Sequence, residues 1–140
     1  MLVLDTDHVV EYLRGASPES HRLKARLDRA TEAFATTIVT VEEIMRGWMA
    51  AIRRIHDPAG QVRAYAGLRQ LFGFCAAWSV LDWNAATAAR YDQLKQAKVR
   101  VGTMDLKIAS IALEQDATLL TRNINDFQRV PGLRIQDWLS

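Results

Sequence analysis

Five acids stand at points in the sequence where carboxylates could do chemistry: Asp5, Asp7, Glu43, Asp105 and Asp126. Each follows an apolar stretch or a turn at the start of an expected helix. Four of them also have a sufficient local explanation. Asp7 could cap the helix that follows it. Thr40-Val41-Glu42-Glu43 fits the S/T-x-x-E capping box. Asp105 lies in a first helical turn, where the macrodipole favours a negative charge. Asp126 could complete a turn network in "NIND". Gathered at one edge of a sheet, the same acids would need a cation, because two like charges about 4 Å apart repel by roughly 4 kcal/mol at an effective dielectric near 20. Oxygen ligands without supporting Cys or His favour Mg²⁺ or Mn²⁺, hard ions that keep waters and contact phosphates. A metal-activated water would then be a nucleophile for in-line attack on a phosphodiester.

The elements that must position these acids alternate along the chain. "LVL" at residues 2–4 reads as a short buried strand, followed by a helix from His8 to Arg14 that stops at Gly15. A second helix is expected from Pro18 to Arg29, with proline near its start. "AFATTIVT" reads as a strand. From Val41, the residues Val41, Ile44, Met45, Trp48, Ile52 and Ile55 recur at helical spacing, until Pro58 and Gly60 interrupt the pattern. Another helix is expected from Gln61 to Ala76, "WSVLDW" as a strand, and "NAATAARYDQLKQAK" as a helix that Asn84 can cap. "TMDLKIASIALEQD" reads as a helix, "ATLLT" as a strand and "LRIQDW" as the last strand. The alternation predicts an α/β fold over residues 1–140, one domain with a central, mainly parallel sheet between helical layers. Ligands of such sheets bind beyond the carboxyl ends of the strands. Asp5 and the segment after "ATLLT" occupy that kind of edge.

Composition limits the alternatives. The chain has 140 residues, 49% hydrophobic, enough for one full core. No apolar run approaches the roughly 20 residues of a membrane span. The lone Cys75 excludes an internal disulfide and is expected to be buried, and no secretory leader is recognisable, so a cytoplasmic protein is expected. Net charge is only +2, which does not by itself indicate a nucleic-acid binder, although basic residues gather in the first half. His8, His21 and His56 are scattered and read as surface or core residues rather than catalytic ones. Trp48, Trp78, Trp83 and Trp138 read as core or interface.

Three segments in order, "LVLDTDHVVEYLRG", "TTIVTVEEIMRG" and "VGTMDLKIASIALEQDATLLTRNINDFQRVPGLRIQDW", resemble the PIN-domain ribonucleases, and among them the VapC-type toxins of toxin–antitoxin pairs. The resemblance covers nearly the whole chain. It implies an α/β/α sandwich and a Mg²⁺-dependent endoribonuclease that acts on RNA and is held inactive by an antitoxin protein. By the same resemblance Asp5, Glu43 and Asp105 are the first three metal-site acids and Asp126 the fourth. Glu43 is preferred to Glu42 because it stands in the E-[IL]-x-x-G register; helical periodicity leaves both outside the apolar stripe. Thr6, Asp7, Thr121 and Asn123 are supporting residues, with Asp7 standing where relatives often have Asn. Arg46, just past Glu43, is the residue expected to reach RNA. The large apolar residues of the two central helices predict a homodimer face or a groove for the antitoxin, unless they fill the core. Two other readings remain. "VLDTDHV" also fits a haloacid-dehalogenase-type phosphohydrolase with Asp5 as nucleophile, although no later G-D-x-x-x-D pair accompanies it. The chain would alternatively be a non-catalytic PIN-like binding protein.

Overall fold

In the computed structural model, which describes residues 1–140, five short strands alternate with seven helices. They run β1 (Leu2–Leu4), α1 (Thr6–Arg14), α2 (Pro18–Arg29), β2 (Phe34–Thr37), α3 (Ile38–Arg54) and α4 (Val62–Ala77). β3 (Val80–Leu81), α5 (Ala85–Gln96), α6 (Thr103–Glu114), β4 (Thr118–Leu120), α7 (Ile124–Phe127) and β5 (Arg134–Gln136) follow. All neighbouring strands pair in parallel, in the order β3-β2-β1-β4-β5. The chain builds outward from β1 to β3, then crosses back to lay β4 on the other side of β1. The strand order therefore reverses between β1 and β4, where the carboxyl ends of a parallel sheet open a crevice.

Side-chain alternation along the strands divides the core into two layers. Leu2, Leu4 and Leu120 pack against Val9 of α1, Leu23 and Leu27 of α2, Val41 and Ile44 of α3, and Leu71 and Phe74 of α4. Val3 and Leu119 point the other way, onto Leu94 of α5 and Leu106, Ile108 and Ile111 of α6. A parallel sheet covered on both faces in this way explains why its strands read as continuous apolar runs. Gly67 of α4 is buried beneath the Trp48 indole of α3, which occupies the space a Cβ would need. No helix is long and apolar enough to cross a membrane.

Several boundaries differ from the sequence expectation, and the differences move the acids. α1 begins at Thr6 rather than His8, and Asp5, not Asp7, is its cap. Asp5 still has extended backbone and donates its N–H to Leu120 O at 3.1 Å, while its carboxylate accepts the His8 N–H at 3.2 Å. The second strand ends at Thr37, whose hydroxyl accepts the Thr40 N–H at 3.0 Å and starts α3 at Ile38. Glu43 thus lies beyond the first turn and belongs to no capping box, so its local explanation disappears. β3 keeps only Val80 and Leu81 of "WSVLDW". Asn84 caps α5 as expected, in a reciprocal arrangement with Thr87. Gly15 ends α1 in the left-handed region at φ 77°, which glycine adopts without a Cβ penalty. Cys75 is half-buried rather than buried. Trp138 is buried, whereas Trp48, Trp78 and Trp83 are half-buried against the two cores.

Candidate active site

Asp5, Asp7, Glu43 and Asp105 line one open cleft of about 390 Å³ at the reversal point, together with Thr6, Asn123, Arg14 and Arg122. Asp5 is delivered by the end of β1, Glu43 by the second turn of α3, Asp105 by the first turn of α6 and Asn123 by the turn after β4. Short polar side chains fix the carboxylates. The Thr6 hydroxyl donates to Glu43 Oε1 at 2.6 Å. Thr121 hydrogen-bonds Asp5, and its Oγ1 accepts the Asn123 N–H at 2.9 Å. The Asn123 amide donates to Asp105 Oδ2 at 3.1 Å and to Asp126 Oδ2 at 2.9 Å. Asn123 therefore faces the cleft and Asp126 stands behind it, with an ion pair to Arg129 at 3.6 Å.

The electrostatics of the cleft are those of crowded carboxylates. Burial pushes Asp5 up to about 7, against hydrogen bonds from His8 and Thr121, and neighbouring Asp7 adds to the rise. Burial also raises Asp105, and the charges of Glu43, Asp126 and Asp7 raise it further, with only the Asn123 amide opposing. Neither lysine nor arginine pairs with Asp5, Glu43 or Asp105. A partly buried carboxylate cluster that no lysine or arginine neutralises fits a hard divalent cation with oxygen ligands.

The PIN-domain family model matches residues 2–133. The tRNA(fMet)-specific endonuclease VapC of Salmonella typhimurium is 34% identical over 97% of this chain and 96% of its own length. Ribonuclease VapC2 of Rickettsia felis is 26% identical over the same shares. Among solved structures, the DNA-bound VapBC of Salmonella typhimurium matches with a TM-score of 0.74 at 25% identity, covering 98% of this chain and 97% of that one. The chain belongs to the PIN-domain family, in its VapC branch. PIN nucleases use divalent metal, and the cleft described above has the donor set for it. The family match also decides against the phosphohydrolase reading of "VLDTDHV".

Within this PIN domain, Arg46 does not face the cleft. Its guanidinium pairs with Glu42 at 2.6 Å, and it borders a separate shallow groove with Met49, Ala50 and Arg53. The arginines that do line the acidic cleft are Arg14, paired with Glu11 at 2.7 Å, and Arg122, whose backbone N–H donates to Asp7 Oδ2 at 3.2 Å. Both were legible in principle: Arg14 lies two helical turns after Asp7 on the same face of α1, and Arg122 lies two residues past the end of β4, at the same sheet edge.

His8 is the residue that sequence reasoning undervalued. It is fully buried, as one of the two expectations held, yet it is not an inert core residue. Its Nδ1 lies 2.6 Å from Asp7 Oδ1 and 3.4 Å from Asp5 Oδ1. Its Nε2 accepts the Trp138 N–H at 3.1 Å. Burial alone would lower the imidazole, and the hydrogen bonds and charges of Asp5 and Asp7 outweigh it in the other direction. The Trp138 N–H, however, requires a lone pair on Nε2, so this arrangement carries one ring proton, on Nδ1. Asp7 is held below the ordinary carboxylate range: burial opposes this, but hydrogen bonds from His8, Asp5 and the Arg122 N–H outweigh it.

Proposed function

We propose that this chain is a metal-dependent endoribonuclease and the toxin of a toxin–antitoxin pair. The observation that carries the proposal is the convergence of Asp5, Glu43 and Asp105 from three separate elements on one cleft, where no lysine or arginine neutralises them. Asp5, Glu43 and Asp105 would hold the cation, with Mg²⁺ the expected ion and Mn²⁺ a substitute. Asp126 acts as the fourth acid through its charge and through Asn123, which ties it to Asp105. Once bound, the ion supplies a nucleophilic water at neutral pH and neutralises charge on the phosphate. Thr6 and Thr121 keep the Glu43 and Asp5 carboxylates aimed at the cleft. Arg14 and Arg122 stand at its edge, where RNA phosphates would approach. Arg46 remains a candidate for RNA further along α3, and an unchanged salt slope of RNA binding in Arg46→Ala would remove it.

The antitoxin reading rests on the VapC branch and on solved relatives that are VapBC complexes. Met49, Val62, Tyr65 and Phe72 of α3 and α4 are each more than half exposed, an apolar surface suited to the antitoxin or to a second copy of the chain. A homodimer in the cytoplasm, where the RNA substrate is, completes the proposal. The test is cleavage of an RNA panel that includes tRNA(fMet), the substrate in the name of the Salmonella relative. Mg²⁺ or Mn²⁺ should support cleavage, EDTA should stop it, and Asp105→Asn should lack it. Cleavage that persists in EDTA, or full activity of Asp105→Asn, would overturn the reading.

A further inference from the structure

The segment after β5, residues 137–140, folds back over the helices beside the cleft and is fastened there by several independent contacts. Arg22 of α2 donates twice to Leu139 O, from Nε at 3.2 Å and Nη2 at 2.9 Å. The Arg26 guanidinium lies 4.6 Å from the Trp138 ring centroid, a cation–π distance. The Asp137 carboxylate accepts the Leu139 N–H at 2.8 Å. Leu139 is fully buried and its residue borders the acidic cleft. The Trp138 N–H then enters the core and ends on His8 Nε2, 130 positions earlier in the chain.

We propose that His8 is a positioning residue that couples this segment to the metal-site carboxylates. The inference rests on the metal-site reading given above. A single rigid ring joins two elements. On one side Nε2 is fixed by the Trp138 N–H, and the next residue, Leu139, is held at its carbonyl by Arg22. On the other, Nδ1–H donates to Asp7 Oδ1, while Asp7 Oδ2 accepts the Arg122 N–H. With both oxygens occupied, the Asp7 carboxylate has one orientation, beside Asp5 and at the lip of the cleft. A flexible or apolar residue at position 8 would leave Asp7 free to turn toward the site and Trp138 N–H buried without an acceptor. His8 acts through these hydrogen bonds in one protonation state; no change of its charge is involved. It touches neither RNA nor the reacting atoms.

Two substitutions separate the two ends of the ring. Asn places an amide N–H near the position of Nδ1, and Gln places a carbonyl near that of Nε2. His8→Asn should keep the Asp7 bond but cut the link to Trp138, so it should lower the melting temperature and weaken Mn²⁺ binding at least as much as Arg22→Ala does. His8→Gln should keep the Trp138 bond, stay nearer to wild type in melting temperature and weaken Mn²⁺ binding by about tenfold or more, the scale on which lost outer hydrogen bonds around a metal site act. The affinities are read by titration calorimetry on folded protein, so RNA cleavage does not enter. Arg22→Ala, a substitution on the surface of α2 that leaves the core intact, tests the coupling from the far end and should weaken Mn²⁺ binding in the same direction. Because it leaves His8 in place, it decides the matter should His8→Gln not fold. Wild-type affinity in Arg22→Ala together with wild-type affinity in any folded His8→Gln would overturn the coupling alone. Failure of the wild-type chain to bind Mn²⁺ would overturn the metal-site reading and this inference with it.

Discussion

Replacement of Asp5 by Asn should stabilise the metal-free protein, and the gain should grow with pH. Burial raises the native carboxyl to about 7, against an ordinary value of 3.8 in the unfolded chain. The native state therefore binds the proton more tightly. Its contribution to stability is complete below about pH 4 and is lost as pH rises to about 7, after which the deficit is constant. A gap of about three units at roughly 1.4 kcal/mol each sets a ceiling of roughly 4 kcal/mol. Asn carries no charge at any pH, and it caps a helix as well as Asp does, so the bond from the His8 N–H is preserved in kind. The stability difference between variant and wild type should thus rise from under about 1 kcal/mol at pH 4 to between about 2 and 4 kcal/mol at pH 8. Urea unfolding in EDTA, followed by tryptophan fluorescence at several pH values, measures it directly. Excess Mg²⁺ at pH 8 should then stabilise the wild type, by about 2.7 kcal/mol at a hundredfold excess over the dissociation constant, and leave the variant unchanged. A difference that does not vary with pH would refute the argument that a buried, uncompensated charge sits at Asp5. So would a variant that Mg²⁺ stabilises as much as it does the wild type.

Thr6→Val removes the 2.6 Å bond to Glu43 while keeping side-chain volume, and RNA cleavage should fall by about 10- to 100-fold in single-turnover assays. Asn123→Asp replaces the two N–H groups that join Asp105 and Asp126 with a further negative charge. The metal-free protein should lose about 1 to 3 kcal/mol at pH 8, measured by denaturant titration, and recover most of it with Mg²⁺. Gly67→Val would push a side chain into the Trp48 indole and should lower stability by about 1 to 3 kcal/mol, with the ring's fluorescence shifted as α3 and α4 separate.

The sheet and its helices were legible because each depends on local pattern, whereas Asp5, Glu43 and Asp105 were singled out by the family resemblance, since periodicity alone does not choose between Glu42 and Glu43. Alternating apolar runs and amphipathic stretches mark the βα units, and a parallel sheet brings the strand ends to one edge whatever the side chains there do. Junctions were harder. Ile38 and Val39 are β-branched and read as strand, yet the Thr37 cap and the burial of Val39 against α5 and α6 outweigh that preference and start α3 early. Arg46 illustrates a different limit. Its sequence distance from Glu43 is three residues, but Glu42 lies one turn before it and captures its charge at 2.6 Å. His8 could not have been valued from sequence, since its partner Trp138 lies 130 positions away and offers only a backbone N–H.

Asn123 and Asp126 show the opposite difficulty, that of residues too near each other in the chain. A turn of α7 presents both to the same region, three residues apart, so spacing alone assigns neither. Geometry distinguishes them. The Asn123 amide lies between Asp105 and Asp126 and donates to both, an arrangement that two ionised acceptors favour and a protonated one would weaken. A neutral donor at this position lowers the repulsion that a further facing carboxylate would add, while leaving the Asp126 charge near enough to raise Asp105. Asp5, Asp7, Glu43 and Asp105 thus line the cleft, with Asp126 set behind Asn123 yet close enough for its charge to reach Asp105.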